Sequence, residues 1–313
     1  MKISEKKEPA LVTVGIPIYN DIEYASAAIG DILAQTYQHL EIIISDNCST
    51  DGTEAICRSF ASKDARIHYV RQEHNIGPHA NFKYLIDKSS GAYFMWAASD
   101  DRWHPEFIER LVASLESDPK AAVAFGPFSE IDERGRALPG EYRFDFSGSS
   151  AAERIIKFHL ASSSRRDAFF YALFRKSNAE KMSFIKWWWF NKTIPMNNAY
   201  PPLSNLLAGG DYKFVEFEKP LWMNRVHMKS KPRHSGELSS WPFLFAYCAF
   251  LLRKLNQLYE TVRSVFNGGG SVLTVIVVFP VLVVRCLYDC VGETRRLLLG
   301  AARRIKSLMQ MGK

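Results

Sequence analysis

Strand-like and helix-like segments alternate along residues 11–130. Five short runs rich in β-branched or aromatic residues predict strands because turn residues bound each of them, and they read "LVTVGIPIY", "LEIIISD", "RIHYV", "YFMWAA" and "AAVAF". The segments between them have helical periodicity, with Asp21 as a predicted N-cap of the first helix. This alternation predicts an α/β fold, a mostly parallel sheet with helices on both faces.

Three polar motifs directly follow predicted strands: "PIYN" at 17–20, "DNCSTDG" at 46–52 and "SDD" at 99–101. Ligands bind beyond the carboxyl ends of strands in open parallel sheets, so we expect these motifs to converge on one cleft. Asp100 and Asp101 would repel each other unless a cation neutralises them. Mg²⁺ uses one or two carboxylates together with substrate phosphates. The alternative is that the pair caps the next helix.

The order and spacing of four blocks are similar to those of the family 2 glycosyltransferases. These blocks are "VTVGIPIYN", "ILAQTYQHLEIIISDNCSTDGT", "HNIGPHANFKYLIDKSSGAYFMWAASDD" and "EKPLWMNRVH", and the resemblance covers residues 11–230. It implies a GT-A fold, which is Rossmann-like, and inverting transfer of a sugar from a nucleoside-diphosphate sugar. A Rossmann dehydrogenase would need G-x-G-x-x-G after its first strand, where "GIPIYNDIEY" has one glycine.

The resemblance also implies roles for individual residues. Asp46 corresponds to a carboxylate that contacts the nucleobase, Asp100 to one that faces ribose and donor sugar, and Asp101 to a ligand of Mg²⁺ or Mn²⁺ that bridges to the diphosphate. A turn function for Asp46 and a solvated surface position for Lys83 are the alternatives. The nucleotide-sugar residues implied are Pro17, Tyr19, Asn20, Asp46, Asn75, Asn81, Lys83 and Asp100.

The general base departs from the family pattern. The usual acid would lie near Asn197-Asn198, but no Asp or Glu occurs from Lys181 to Gly210. Asp167 is the predicted base because it precedes "AFFYALFR", a strand expected to border the cleft; otherwise it is a surface residue. Asp211 is the next candidate. A catalytically silent GT-A-like protein that binds nucleotide sugars is therefore the alternative function.

One other class of enzyme fits the sequence less well. A sugar-phosphate nucleotidyltransferase would need a glycine-rich, basic loop after the first strand, and "PIYNDIEY" has none. The five cysteines match neither a disulfide framework nor a zinc signature, so free thiols are expected.

Arg225 and His227 resemble an R-x-H pair of relatives that approaches the diphosphate; a plain basic surface is the alternative.

Basic charge is concentrated at the C-terminus. Residues 285–313 hold seven basic and two acidic residues, which gives +5 of the net charge of +7. From Thr294 onward, apolar and basic residues occupy opposite faces of a helical wheel, as in helices that lie on anionic membranes. The apolar half favours lipid over nucleic acid. Packing of this helix on the catalytic domain is the alternative.

The run "SVLTVIVVFPVLVV" at 271–284 is shorter than the ~20 residues of a spanning helix, and Pro280 interrupts it. It predicts an interfacial or re-entrant segment, with a single span as the alternative. Trp187-Trp188-Trp189 suits a membrane interface, sugar stacking or a core.

The predicted organisation is a GT-A domain at 1–235 and a helical extension at 236–313. Within the first, 11–130 would bind nucleotide and 131–235 the acceptor. No early segment resembles a signal peptide. These features predict a peripheral enzyme on the cytoplasmic membrane face, with a UDP- or dTDP-sugar donor, a lipid-linked saccharide acceptor and residues 271–313 on an anionic membrane.

Overall fold

A computed structural model describes residues 8–161, 167–182, 200–227 and 258–287, with the backbone only at Asp167, Tyr200 and Pro201. The Trp187-Trp188-Trp189 run, Asn197-Asn198, the boundary at 235 and the basic segment 288–313 lie outside the described residues. The predictions made for those segments stay predictions.

Within the described residues, eleven strands form two sheets. The larger sheet has the order β10-β6-β9-β4-β1-β2-β3 and the smaller one the order β5-β11-β7-β8. The strands are β1 Val12–Ile18, β2 Leu40–Asp46, β3 Ile67–Arg71, β4 Tyr93–Trp96, β5 Arg102–Trp103, β6 Ala121–Phe125, β7 Phe128–Ile131, β8 Ala137–Tyr142, β9 Leu173–Arg175, β10 Asp211–Phe214 and β11 Trp222–Arg225.

The larger sheet is mostly parallel. Strand β1 pairs in parallel with β2 and β4, β2 with β3, and β10 with β6. Strand β9 is the exception, because it enters antiparallel between β4 and β6. The predicted α/β class and the strands that precede the three polar motifs are confirmed.

Helices alternate with the strands and continue beyond the last strand in the described residues. They are α1 Ala25–Leu33, α2 Thr53–Ala61, α3 Pro78–Lys88, α4 Phe107–Ser117, α5 Ala151–Leu160, α6 Lys176–Ala179 and α7 Tyr200–Gly209, with a 3-10 turn at Asp167–Tyr171. Residues 258–267 and 272–287 are also helical. The predicted N-cap at Asp21 was wrong. Tyr24 occupies that position without a side-chain cap, and the Asp21 side chain instead accepts a hydrogen bond from Ser99.

Strand β4 lies at the centre of the larger sheet and is buried along its whole length. Its unbroken apolar sequence fits a strand that is covered on both faces. The Trp96 ring stacks on Phe170 with centroids 4.2 Å apart, and Phe94 packs edge-on against Trp96. Burying each such side chain contributes about 1.5–3 kcal/mol, so the strand is a rigid support for the residues that follow it.

The helix at 258–267 packs directly against α7. The Asn205 side-chain amide donates to the Ser264 carbonyl at 2.9 Å, and a Cβ at Gly268 would clash with the Asn205 carbonyl. In the helix at 272–287, Val278 and Leu282 are buried in the core cluster. Within the described ranges, no helix has the length and apolar character needed to cross a bilayer.

Candidate functional site

Hydrogen bonds join the loops that follow β1, β2 and β4. The Asn20 backbone N–H donates to Ser49 Oγ at 2.9 Å, and Asn20 Oδ1 accepts from the Thr50 N–H at 2.7 Å. The Ser99 hydroxyl donates to the Asp21 carboxylate. The three polar motifs therefore meet at the carboxyl edge of the larger sheet, as predicted from their positions after parallel strands.

A second set of bonds adds the loop after β3. The Asn47 side-chain amide donates to Asn75 Oδ1 at 2.9 Å, and Asn47 Oδ1 accepts from the Ile76 N–H at 2.8 Å. Asn75 is exposed, whereas Asn47 is buried. The loop residue implied by the resemblance, Asn75, thus borders the same edge, held there by a residue that the sequence reasoning did not single out.

Pro17 and Tyr19 lie at the end of β1. Pro17 is half-buried opposite Ser45 of β2, and the Tyr19 side chain is 48% exposed. An exposed aromatic ring beside polar strand ends can stack on a flat ligand. The structure therefore leaves the Tyr19 ring accessible at the edge where a nucleotide was predicted.

Asp46 is fully buried, at 0% exposure. Its Oδ1 accepts from the Ser49 N–H at 2.8 Å, and its Oδ2 accepts from the Tyr69 hydroxyl at 2.8 Å. Burial, followed by this hydrogen bond, raises the pKa of Tyr69. These contacts give Asp46 a turn function, and because its carboxylate is fully buried, a nucleobase could reach it only if the surrounding loops moved.

The side chains of Asn81 and Lys83 each contact other residues of the protein. The buried Asn81 amide donates to the Ser45 carbonyl at 2.9 Å and so fixes α3 to β2. Lys83 Nζ pairs with Asp87 at 2.6 Å, one turn along α3, and both side chains are largely exposed. For Lys83 this arrangement fits the surface alternative.

The adjacent carboxylates Asp100 and Asp101 have different environments. Asp101 is 2% exposed; its Oδ1 accepts from the Arg225 N–H at 2.7 Å and its Oδ2 from Trp222 Nε1 at 2.9 Å. Burial, and then the charge of Asp100, raises the pKa of Asp101. The Asp100 side chain is 29% exposed and its Oδ2 lies 2.7 Å from His227 Nε2. Asp100, the more accessible carboxylate, is therefore the one with free access to a ligand.

The Arg225 guanidinium is buried and makes several contacts. Its Nε donates to the Asp100 carbonyl at 2.6 Å, and its NH1 donates to the carbonyls of Asp132 and Glu133 at 2.9 and 3.1 Å. It also lies 4.4 Å from the centroid of the Tyr24 ring, a cation–π contact. Arg225 thus joins the β4 end, the β7–β8 turn and the start of α1.

Gln35 supports the segment after Asp101 and was missed by the sequence reasoning. It is fully buried, and its amide donates to the carbonyls of Asp31 and His104 at 3.2 and 2.9 Å. Its Oε1 accepts from the Ile108 N–H at 3.0 Å. The available signal was a polar residue on the apolar side of the helix pattern, in "AQTY".

The two partly exposed groups Asp100 and His227 fit a divalent cation that takes further ligands from its substrate. Among the described residues, no group of three or more His, Cys, Asp or Glu could hold a metal alone. One or two protein ligands with diphosphate oxygens is the usual arrangement for Mg²⁺, and imidazole suits transition metals. The donor set therefore fits Mg²⁺ or Mn²⁺ only together with a phosphate-bearing ligand.

The predicted base Asp167 begins the 3-10 turn that precedes β9. Because β9 is antiparallel to β4, this turn lies towards the carboxyl edge of β4. Only the backbone of Asp167 is among the described atoms. Asp211 begins β10, which is parallel to β6, so it lies at the opposite edge. It also pairs with Arg154 at 2.8 Å, which removes Asp211 as a candidate base.

The family model for glycosyl transferase family 2 matches residues 13–183. The chain belongs to glycosyltransferase family 2. Over 131 residues it is 37% identical to an uncharacterized glycosyltransferase of Rickettsia conorii, covering 41% of this chain and 21% of that protein. Over 128 residues it is 32% identical to the putative teichuronic acid biosynthesis glycosyltransferase TuaG of Bacillus subtilis, covering 41% and 50%. The chain thus spans half or less of these curated relatives.

Solved structures of glycosyltransferases confirm the GT-A fold. The Staphylococcus aureus TarS fragment in complex with UDP-GlcNAc superposes with a TM-score of 0.56 at 15% identity, covering 82% of this chain and 72% of that one. The mannosyltransferase PcManGT of Pyrobaculum calidifontis, in complex with GDP-Man and Mn²⁺, gives 0.52 at 14% identity, covering 96% and 79%.

Proposed function

We propose that this chain transfers a sugar, with inversion and in the presence of Mg²⁺ or Mn²⁺, from a nucleoside-diphosphate sugar to a saccharide acceptor. The observation that carries this proposal is the partly exposed Asp100 carboxylate, held beside His227 at the carboxyl edge where β1, β2 and β4 end. The family membership, the UDP-GlcNAc and GDP-Man complexes of the structural neighbours and the name of TuaG all support it.

In this proposal the nucleotide lies along the loops after β1 to β3, against Tyr19, Asn20 and Asn75. Asp100 and His227 hold the cation, since both oxygens of Asp101 are engaged by Arg225 and Trp222. When bound, the cation acts as a Lewis acid that stabilises the departing diphosphate. Asp100 and His227 thus position the donor, and the exposed Tyr19 ring stacks on its base.

The acceptor hydroxyl attacks the anomeric carbon while a carboxylate base removes its proton. The new glycosidic bond forms as the bond from that carbon to the diphosphate oxygen breaks, on the opposite face. Asp167 is the proposed base because its backbone lies towards the carboxyl edge of β4. Attack on the face opposite the leaving diphosphate gives inversion, which the anomeric configuration of the product would report.

A catalytically silent nucleotide-sugar-binding protein is the second candidate. The observation that favours it is the sequence from Lys181 to Gly210, where the family's usual acid would lie and which holds no Asp or Glu. Such a protein would bind the donor without releasing nucleotide.

The acceptor proposed is lipid-linked, at an anionic membrane on the cytoplasmic side, for the synthesis of a surface polysaccharide. Support comes from the helix at 272–287, which buries Val278 and Leu282 and exposes its other face. A helix that is apolar on an exposed face, next to a basic segment, suits an anionic membrane surface. The exposed side chains are Val272, Leu273, Ile276, Val277, Phe279, Val284 and Leu287.

The experiment that tests the proposal measures nucleotide release from UDP-, dTDP-, GDP- and CDP-sugars with Mn²⁺ and a membrane extract as acceptor source. The wild type and the control Asp211→Asn, which changes a carboxylate at the opposite edge, should release one nucleotide. Asp100→Asn should lower that rate by about 100-fold or more. Donor binding without release from any donor would support the silent alternative, and neither binding nor release would contradict both.

A further inference from the structure

We propose that Asp101 is a positioning residue whose buried carboxylate fixes Asp100 relative to His227. Asp100 follows β4 of the larger sheet, whereas His227 follows β11 of the smaller sheet. Asp101 is adjacent to Asp100 in the chain, and its Oδ1 binds the backbone N–H of Arg225, two residues before His227. One side chain therefore links the two strand ends that carry the proposed cation ligands.

The two contacts of Asp101 require a carboxylate. Both partners, Trp222 Nε1 and the Arg225 N–H, are donors, and a carboxylate accepts at both oxygens. An asparagine would place its own NH₂ against one of these donors. Because Trp222 and Arg225 are buried, the donor that loses its partner there would keep an unsatisfied N–H.

The surrounding strands limit how β11 can move. Trp222 pairs with Trp103 and Met223 with Arg102, so β11 is antiparallel to the short strand that directly follows Asp101. The Trp103 and Trp222 rings stack with centroids 5.7 Å apart. Losing the Asp101 contacts is therefore expected to shift the backbone only locally, at the end of β11. His227 and its contact with Asp100 lie directly after this end.

This inference rests on the proposed function only for the nature of the ligand, a divalent cation. The fixed distance between Asp100 and His227 is a property of the protein alone, so it can be measured without donor or metal. Residues that orient metal ligands typically contribute 10–100-fold to metal affinity, which sets the size of the effect expected at Asp101.

The first measurement is the ¹⁵N NMR signal of the His227 imidazole in the full chain without metal. Asp100→Ala gives the reference signal of a His227 imidazole that has lost its contact with Asp100. Asp101→Asn should move the His227 signal towards that reference. Adding Trp222→Phe should move it back, since the phenyl ring removes the N–H that opposes the asparagine amide. Asp211→Asn should leave it unchanged.

The second measurement is the broadening of the His227 signal by Mn²⁺ alone. Asp101→Asn should raise the Mn²⁺ concentration for half-broadening by about 10–100-fold. An unchanged His227 signal in folded Asp101→Asn would overturn the positioning role. If Mn²⁺ does not broaden the wild-type His227 signal, although Asp101→Asn still moves that signal without metal, the metal site is overturned and the positioning role stays intact. If Asp101→Asn does not fold, Asp101→Glu decides instead, because it keeps the carboxylate but displaces it from the Arg225 N–H, and a His227 signal identical to wild type would overturn the role.

Discussion

His227 Nε2 lies 2.7 Å from Asp100 Oδ2, although 127 residues separate them in the chain. The contact joins the ends of strands from two different sheets. Both side chains are partly exposed, at 25% and 29%, so solvent and ligand reach them. A cation site assembled in this way depends on how β4 and β11 are placed relative to each other, because neither strand alone carries both groups.

His227→Asn should weaken Mn²⁺-dependent nucleotide binding. Losing one of two protein ligands is expected to raise the Kd by about 10–100-fold, with little change in metal-free stability because the His227 side chain is partly exposed. Calorimetric titration measures this. His68→Asn, an exposed histidine of β3, is the control. Equal affinity in His227→Asn and wild type would remove His227 from the site.

Gln35→Met should lower the free energy of unfolding by about 2–4 kcal/mol. The substitution keeps the side-chain volume but removes three buried hydrogen bonds to the backbone of α1 and the segment after Asp101. Urea denaturation measures the change, with the exposed Gln38→Met as the control. A change in Gln35→Met no larger than in the control would show that these bonds do not support the site.

Asp51→Asn should destabilise the protein in a pH-dependent way. Burial opposes ionisation of Asp51, but hydrogen bonds from the Thr53 side chain, the Thr53 N–H and the Ile22 N–H lower its pKa below the usual value. A carboxyl group with a lowered folded pKa stabilises the fold above its unfolded pKa of about 3.9. That contribution disappears as pH falls through the folded value.

Urea denaturation of wild type and Asp51→Asn at several pH values tests this sign. The difference in free energy of unfolding should be largest near neutral pH and should narrow below about pH 4. A difference that stays constant down to the lowest accessible pH would show that the ionised form of Asp51 has no special stabilising role.

Leu273→Glu combined with Ile276→Glu should reduce binding to vesicles of anionic phospholipid. Both side chains are exposed, at 68% and 62%, on the apolar face of the helix at 272–287. Placing carboxylates there opposes both insertion and attraction to negative lipid. Co-sedimentation with vesicles measures the effect. Leu160→Glu, at the exposed end of α5, is the control, and equal loss in both would argue against a membrane contact by this helix.

Periodicity and turn residues predicted the strands and helices of residues 11–130 well. Strands β1 to β4 and β6 and the helices between them lie where alternating patterns place them, and the apolar runs of β1, β2, β4 and β6 are buried along most of their length. The predicted strand "FFYALF" was only partly right. Its first half is a 3-10 turn, and β9 begins at Leu173. The short strand β5 and its pairing with β11 had no local signal, since they depend on contacts between distant segments.

The placement of Asp100 and Asp101 shows what a resemblance leaves open. Side chains of successive residues alternate in extended chain, but residues 99 and 100 form a turn after β4. That alternation therefore does not decide which of the two carboxylates faces inward. Which of them faces inward depends on Trp222 and Arg225, which lie more than 120 residues away.

The proposed donor site at the carboxyl edge uses Asp100 and a divalent cation. Its most direct test is calorimetric binding of UDP, dTDP, GDP and CDP, with and without Mn²⁺, to wild type and Asp100→Asn, with Asp211→Asn as the control. We expect one nucleotide to bind wild type and the control in a Mn²⁺-dependent manner, and to bind Asp100→Asn at least ~10-fold more weakly. Binding of no nucleotide to folded wild type, or equal binding to Asp100→Asn, would contradict the account.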